Sequence, residues 1–110
     1  MSCVPFKFTT TASTNLLPIR AGFSGNLCGL SVANVATAIF IKVYWVSGSG
    51  PTVGTTVPNI TFGIAASANT IQMLQPATGN GQMWVAVTAA AADSDVAVAA
   101  AGAVVTLFVE

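Results

Sequence analysis

Apolar and polar residues alternate with a period of two along most of this chain. In residues 38–46, Ile39, Ile41, Val43 and Trp45 fall on one side and Phe40, Lys42, Tyr44 and Val46 on the other. That is the spacing of a β-strand, whose successive side chains point to opposite faces. Lys42 belongs outside, so the first set is expected to face the core. Residues 27–34 group Cys28, Leu30 and Val32 against Gly29 and Ser31, and residues 59–64 set Ile60, Phe62 and Ile64 inward. Residues 82–88 alternate Met83, Val85 and Val87 with Trp84, Ala86 and Thr88, and residues 104–109 alternate Val105, Leu107 and Val109 with Val104, Thr106 and Phe108. Weaker patterns cover 69–74 and 16–21. The second suits a sheet edge, because Pro18 cannot donate a ladder hydrogen bond and Arg20 discourages edge pairing.

Turn residues separate these segments: Gly22, Gly25-Asn26, Gly48-Ser49-Gly50-Pro51, Pro58, Ala68-Asn69, Gly79-Asn80-Gly81 and Gly102. About seven short, one-sided strands bounded by turns predict an all-β, single-domain antiparallel β-sandwich, jelly-roll-like or Ig-like, because two packed sheets bury every apolar face. Residues 89–101 are rich in Ala but carry Asp93-Ser94-Asp95, Val96 and Val98. They read as an ordered loop with one helical turn capped by Asp95 and ended by Gly102. Residues 1–13 are polar and Thr-rich apart from Val4-Pro5-Phe6 and Phe8. They are expected to form an N-terminal arm that orders on a neighbour, with the sandwich domain spanning 14–110.

Composition narrows the function. Hydrophobic residues make up 54% and charged residues 5%, which excludes a disordered chain. Three basic residues balanced by three acidic ones cannot neutralise a phosphate lattice, so nucleic acid is not an expected partner. Histidine is absent, which removes Ser-His and Cys-His nucleophiles and imidazole metal sites. A membrane-spanning helix is not expected, since Lys42 interrupts the longest apolar run and Asp93 and Asp95 interrupt the Ala-rich one. The first residues lack the order of a signal peptide, and without export Cys3 and Cys28 are favoured as two reduced thiols over a disulfide. A monomer of this mass exposes about 5,600 Å², so six charges leave about one per 900 Å². Solitary soluble domains carry many more. Much of this surface is therefore expected to press against other polypeptides.

Candidate chemistry is sparse. Asp93 and Asp95 resemble half of a Ca²⁺ site, but a solvated, capping loop is the favoured reading. A carboxylate pair for glycoside cleavage would need a groove and polar sugar contacts as well. The glycine-rich segment 48–56 lacks the lysine and following helix of a phosphate loop and reads as a mobile connection. Asn59-Ile60-Thr61 is a formal glycosylation sequon that has no role without export. No catalytic, cofactor-binding or metal-binding residue is assigned, and the chain is not expected to be an enzyme. Large outward residues on a nearly uncharged surface instead suggest a contact patch of Phe40, Lys42, Tyr44, Trp84 and Phe108, joined by Phe6 and Phe8 of the arm.

Four segments carry a resemblance: Leu27-Cys28-Gly29-Leu30-Ser31-Val32-Ala33-Asn34; Ile41-Lys42-Val43-Tyr44; Pro51-Thr52-Val53-Gly54-Thr55-Thr56-Val57-Pro58; and Ala89-Ala90-Ala91-Ala92-Asp93-Ser94-Asp95 with Val98 to Gly102. Over most of residues 15–110 the chain resembles small β-sandwich virion structural proteins of tailed bacteriophages and prophages. It departs from them at Trp45-Val46, where they tend to have a polar turn, and at Cys28, where an aromatic is common. The resemblance implies a capsid decoration (cement) protein, made in the host bacterial cytoplasm and carried on the capsid surface. Its implied partners are the major capsid protein and further copies of itself, a trimer being favoured. The alternative is a tail or fibre module that recognises a host surface glycan by stacking on Trp84 and Tyr44.

Overall fold

The computed structural model describes residues 3–19, 25–77, 79 and 81–110, with 68–77 described by their backbone. Among the described residues eight strands follow one another: β1 (Val4–Thr9), β2 (Leu17–Pro18), β3 (Leu27–Val35), β4 (Ile39–Val46), β5 (Ile60–Ile64), β6 (Ser67–Ala77), β7 (Gln82–Thr88) and β8 (Val104–Val109). Every pairing is antiparallel. Strands pair from the two ends of the chain inward, β1 with β8, β2 with β7, β3 with β6 and β4 with β5. The β3–β8 and β4–β7 ladders then join these pairs into two sheets, β1-β8-β3-β6 and β2-β7-β4-β5. This winding is the jelly roll. It decides between the two sandwich types that the alternation alone left open.

Alternation explains which residues fill the space between the sheets. Leu30, Val32, Val105, Leu107 and Val109 project from one sheet, and Ile39, Ile41, Val43, Met83, Val85 and Val87 from the other, all essentially without solvent contact. Trp45 joins them, with its indole N–H donating to the Gly25 carbonyl at 2.8 Å. A Cβ on Gly79 would sit 2.5 Å from the Trp45 ring. Gly79 therefore lies directly against this side chain.

Three expectations are corrected. Residues 4–9 are not a free arm but β1, paired along its whole length with β8. Phe6 and Phe8 lie opposite Leu107 and Val105 and pack half-buried against the core. They are therefore core-facing residues and not members of an outer contact patch; Met1 and Ser2 lie outside the described residues. Ala68-Asn69 is no turn, since β6 already begins at Ser67. Residues 89–101 contain no helical turn: Asp95 caps backbone N–H groups, but within a loop that bridges back to β7 at Thr88↔Val98. The edge position of β2 agrees with expectation, while Gly22 and the guarding Arg20 lie outside the described residues.

The largest difference concerns the cysteines. On β3, Leu27 pairs with Val109 and Gly29 with Phe108, so Cys28 is an extra residue that forms a bulge. A bulge reverses the alternation, which is why Leu27 and Leu30 are both fully buried while Cys28 turns out of the core. It meets Cys3, just ahead of β1, and the two form a disulfide with a Cα–Cα distance of 6.4 Å. The expected pair of reduced thiols is thus replaced by a staple between two strands that flank β8.

Candidate functional site

The two outer faces of the sandwich differ. On the β2-β7-β4-β5 sheet, Phe40, Lys42, Tyr44 and Val46 project outward beside Thr88, Ala86, Trp84 and Gln82 of β7. Two connections, 47–58 and 89–101, cover this face. Lys42 and Tyr44 retain no solvent exposure, and both therefore leave the expected contact patch. The Lys42 ammonium donates to the Ala92 carbonyl at 2.7 Å and to the Asp95 carbonyl at 3.5 Å, while the Thr88 hydroxyl donates to the Ala90 carbonyl at 2.9 Å. These bonds tie the 89–101 loop to the sheet.

The glycine-rich connection is equally ordered, contrary to the expected mobile link. The Thr55 and Thr56 amides donate to the Thr52 carbonyl, and the Thr52 amide donates to the Thr56 hydroxyl. A Cβ on Gly50 would lie 2.7 Å from the Trp84 ring, and one on Gly54 would lie 2.5 Å from Val96. Only glycine lets this segment lie so close to the sheet and to the neighbouring loop. Trp84 is thus half-buried beneath Gly50, and its indole N–H and the Tyr44 hydroxyl are buried without a hydrogen-bond partner among the described residues. Burial, and secondarily the charge of Asp93, pushes the Tyr44 hydroxyl pKa up.

Asp95 organises the covering loop. Its carboxylate accepts from the Ala90 amide at 2.9 Å and the Ala97 amide at 3.2 Å. The Ala97 bond chiefly, then the Ala90 bond and the nearby Lys42, hold the carboxyl below its ordinary pKa against a partial opposing effect of burial. Both oxygens already serve backbone donors, so the loop does not present the two free carboxylates that a Ca²⁺ site or an acid–base pair would need. A lowered folded-state pKa stabilises the fold above the ordinary carboxylate value near ~3.9, and that contribution disappears as pH falls through the lowered value. Asp95→Asn is accordingly expected to flatten the acid limb of the unfolding curve. Identical acid midpoints and slopes for the variant and wild type would contradict this role.

The outer face of the β1-β8-β3-β6 sheet is different. Pro5, Lys7 and Thr9 of β1 are exposed, and Val104, Thr106 and Phe108 of β8 are half-exposed. Phe108 lies between Pro5 of β1 and Gly29 of β3 in the ladder, and Gly29 is buried. Lys7 is the one charged residue on these three strands. Of the seven residues expected at a contact surface, Phe108 fits best; Phe40 is half-buried on the opposite sheet with its ring over Gly63. Sequence alternation identifies outward positions but carries no signal for the loops that cover one face.

No helix among the described residues is long and apolar enough to cross a membrane. Compared with known proteins, the chain matches no family model, no curated protein and no solved structure.

Proposed function

We infer that the chain is a non-enzymatic virion structural protein, a decoration protein that binds the outer surface of a tailed-phage capsid and braces contacts between major capsid subunits. The observation that carries this reading is the half-exposed Phe108 beside the exposed Pro5, Lys7 and Thr9 on the weakly charged β1–β8 surface. The surface as a whole, 5376 Å² with six charged residues along the chain, adds to it. A half-exposed aromatic on nearly uncharged strands is the kind of anchor that buries well against another protein. A ligand that binds assembled lattice better than loose subunits stabilises the lattice by mass action. Copies of the chain grouped around a symmetry axis, a trimer being the favoured number, would add avidity. Jelly rolls serve in capsid and lectin domains alike, so the fold does not itself choose between them. The glycan alternative is disfavoured because Tyr44 is fully buried and Trp84 lies beneath Gly50.

Sedimentation with purified capsids tests the assignment. Wild-type protein should co-sediment at a copy number comparable to that of the major capsid protein. Phe108→Asp should lower its affinity about tenfold or more, as loss of an aromatic anchor does, with thermal stability nearly unchanged. Wild-type protein that ignores capsids overturns the function, whereas full binding by Phe108→Asp overturns the face.

A further inference from the structure

Three strand ends converge beside the disulfide. Cys3 precedes β1, Cys28 is the bulge of β3 and Glu110 follows β8, and one sulfur of each cysteine and a carboxylate oxygen all lie within 4.8 Å of one another. The Asn26 amide donates to the Glu110 carbonyl at 2.9 Å and the Glu110 amide to the Asn26 carbonyl at 3.0 Å. The Asn26 side chain also donates to the Glu110 carboxylate at 3.5 Å. The backbone carrying the carboxylate is thereby fixed against the start of β3. Cys3 is exposed and Cys28 and Glu110 are half-buried, so the cluster can be reached from solvent. The bulge is what brings the second sulfur here, since unbroken alternation would point Cys28 into the core.

We propose that Cys3, Cys28 and Glu110 form a thiophilic divalent-cation site when the disulfide is reduced, with Zn²⁺ as the natural occupant. Two thiolates and one carboxylate suit Zn²⁺ or Cd²⁺ and disfavour Mg²⁺ and Ca²⁺, which prefer an all-oxygen shell. Zn–S bonds of about 2.3 Å and a Zn–O bond of about 2.1 Å place tetrahedral ligands less than 4 Å apart. The carboxylate oxygen then moves inward by about an ångström, and the sulfurs separate by rotation about Cα–Cβ. Water completes the fourth position.

The chemistry balances in two steps. A dithiol reductant transfers two electrons and two protons to the Cys3–Cys28 bond, becoming a disulfide itself and leaving two protein thiols. The cation then displaces both thiol protons, which pass to solvent, and binds the two sulfurs and the Glu110 oxygen. A small-molecule disulfide reverses the sequence: it takes two electrons from the thiolates and two protons from solvent, becoming two thiols, while the Cys3–Cys28 bond re-forms and the cation leaves. Disulfide and metal are thus alternative staples for the same three strand ends.

Titration of the full chain with Cd²⁺ tests this, after reduction by a phosphine, which takes up an oxygen atom from water and does not compete for the metal as a dithiol would. Reduced protein should develop thiolate-to-cadmium absorption that saturates at one equivalent and is displaced by Zn²⁺, whereas oxidised protein should develop none. Glu110→Gln should weaken binding about tenfold or more, while its disulfide still forms. Should the reduced chain lose its strand circular dichroism, one equivalent of Zn²⁺ should restore it. Absence of the absorption, wild-type affinity in Glu110→Gln, or failure of Zn²⁺ to restore a lost fold would each overturn the site. None of these readouts involves capsids, so this result stands apart from the test of the proposed function.

Discussion

Replacing Lys42 with alanine is expected to cost about 3–4 kcal/mol of folding stability, although lysine on the outward side of a strand is usually dispensable. The ammonium here has no solvent contact and donates to the Ala92 and Asp95 carbonyls. Truncation leaves those part-buried acceptors without their donor, costing about 1–2 kcal/mol, and empties the volume of the alkyl stem, which costs about 2 kcal/mol more. Lys42→Met separates the two effects. It keeps most of the volume and loses only the hydrogen bonds, so about half the loss should remain. Denaturant midpoints supply the energies, and hydrogen exchange at Ala89 and Ala97 reports whether the covering loop loosens. A change within about 0.5 kcal/mol for Lys42→Ala, the usual scale for an exposed site, would show that the loop does not depend on this anchor.

Lys42 also marks the boundary of what alternation can reveal. The pattern correctly placed Ile39, Ile41, Val43 and Trp45 inside and Lys42 on the other face, because local geometry alone sets side-chain direction. Whether an outward residue meets solvent depends on distant segments. The covering loops 47–58 and 89–101 are held by backbone carbonyls, a carboxylate and two close glycine contacts. None of these leaves a periodic signal. Residues 82–88 and 104–109 match β7 and β8 because both are central in their sheets and strongly one-sided. β1 escapes the alternation because Pro5, Lys7 and the threonines around Phe6 and Phe8 look like a solvated tail. The same residues serve as edge protection once β8 supplies a partner. Alternation alone points Cys28 inward, and one inserted residue reverses it. The partner that reveals the insertion, β8, lies more than seventy residues away along the chain.

That bulge leads to the second large effect, because reducing the Cys3–Cys28 bond should lower stability by about 3 kcal/mol. The bond closes a loop of sequence separation 25, for which the lost chain entropy of the unfolded state corresponds to about 3.5 kcal/mol. In a chain of this size that is a fall in melting temperature of roughly 10–15 °C. The measurement needs a chelator, so that metal binding at the freed thiols does not mask the loss. Cys3→Ser and Cys28→Ser should each reproduce it, the double variant should be no worse than either, and reductant should leave all three unaffected. The loss should begin at β1, an edge strand with β8 as its single neighbour, so amides of residues 4–9 should exchange faster well below the melting temperature. The opposite pattern, with no response to reductant and additive serine substitutions, would mean that the two thiols are unpaired in solution and that β1 is held by Phe6, Phe8 and its ladder alone.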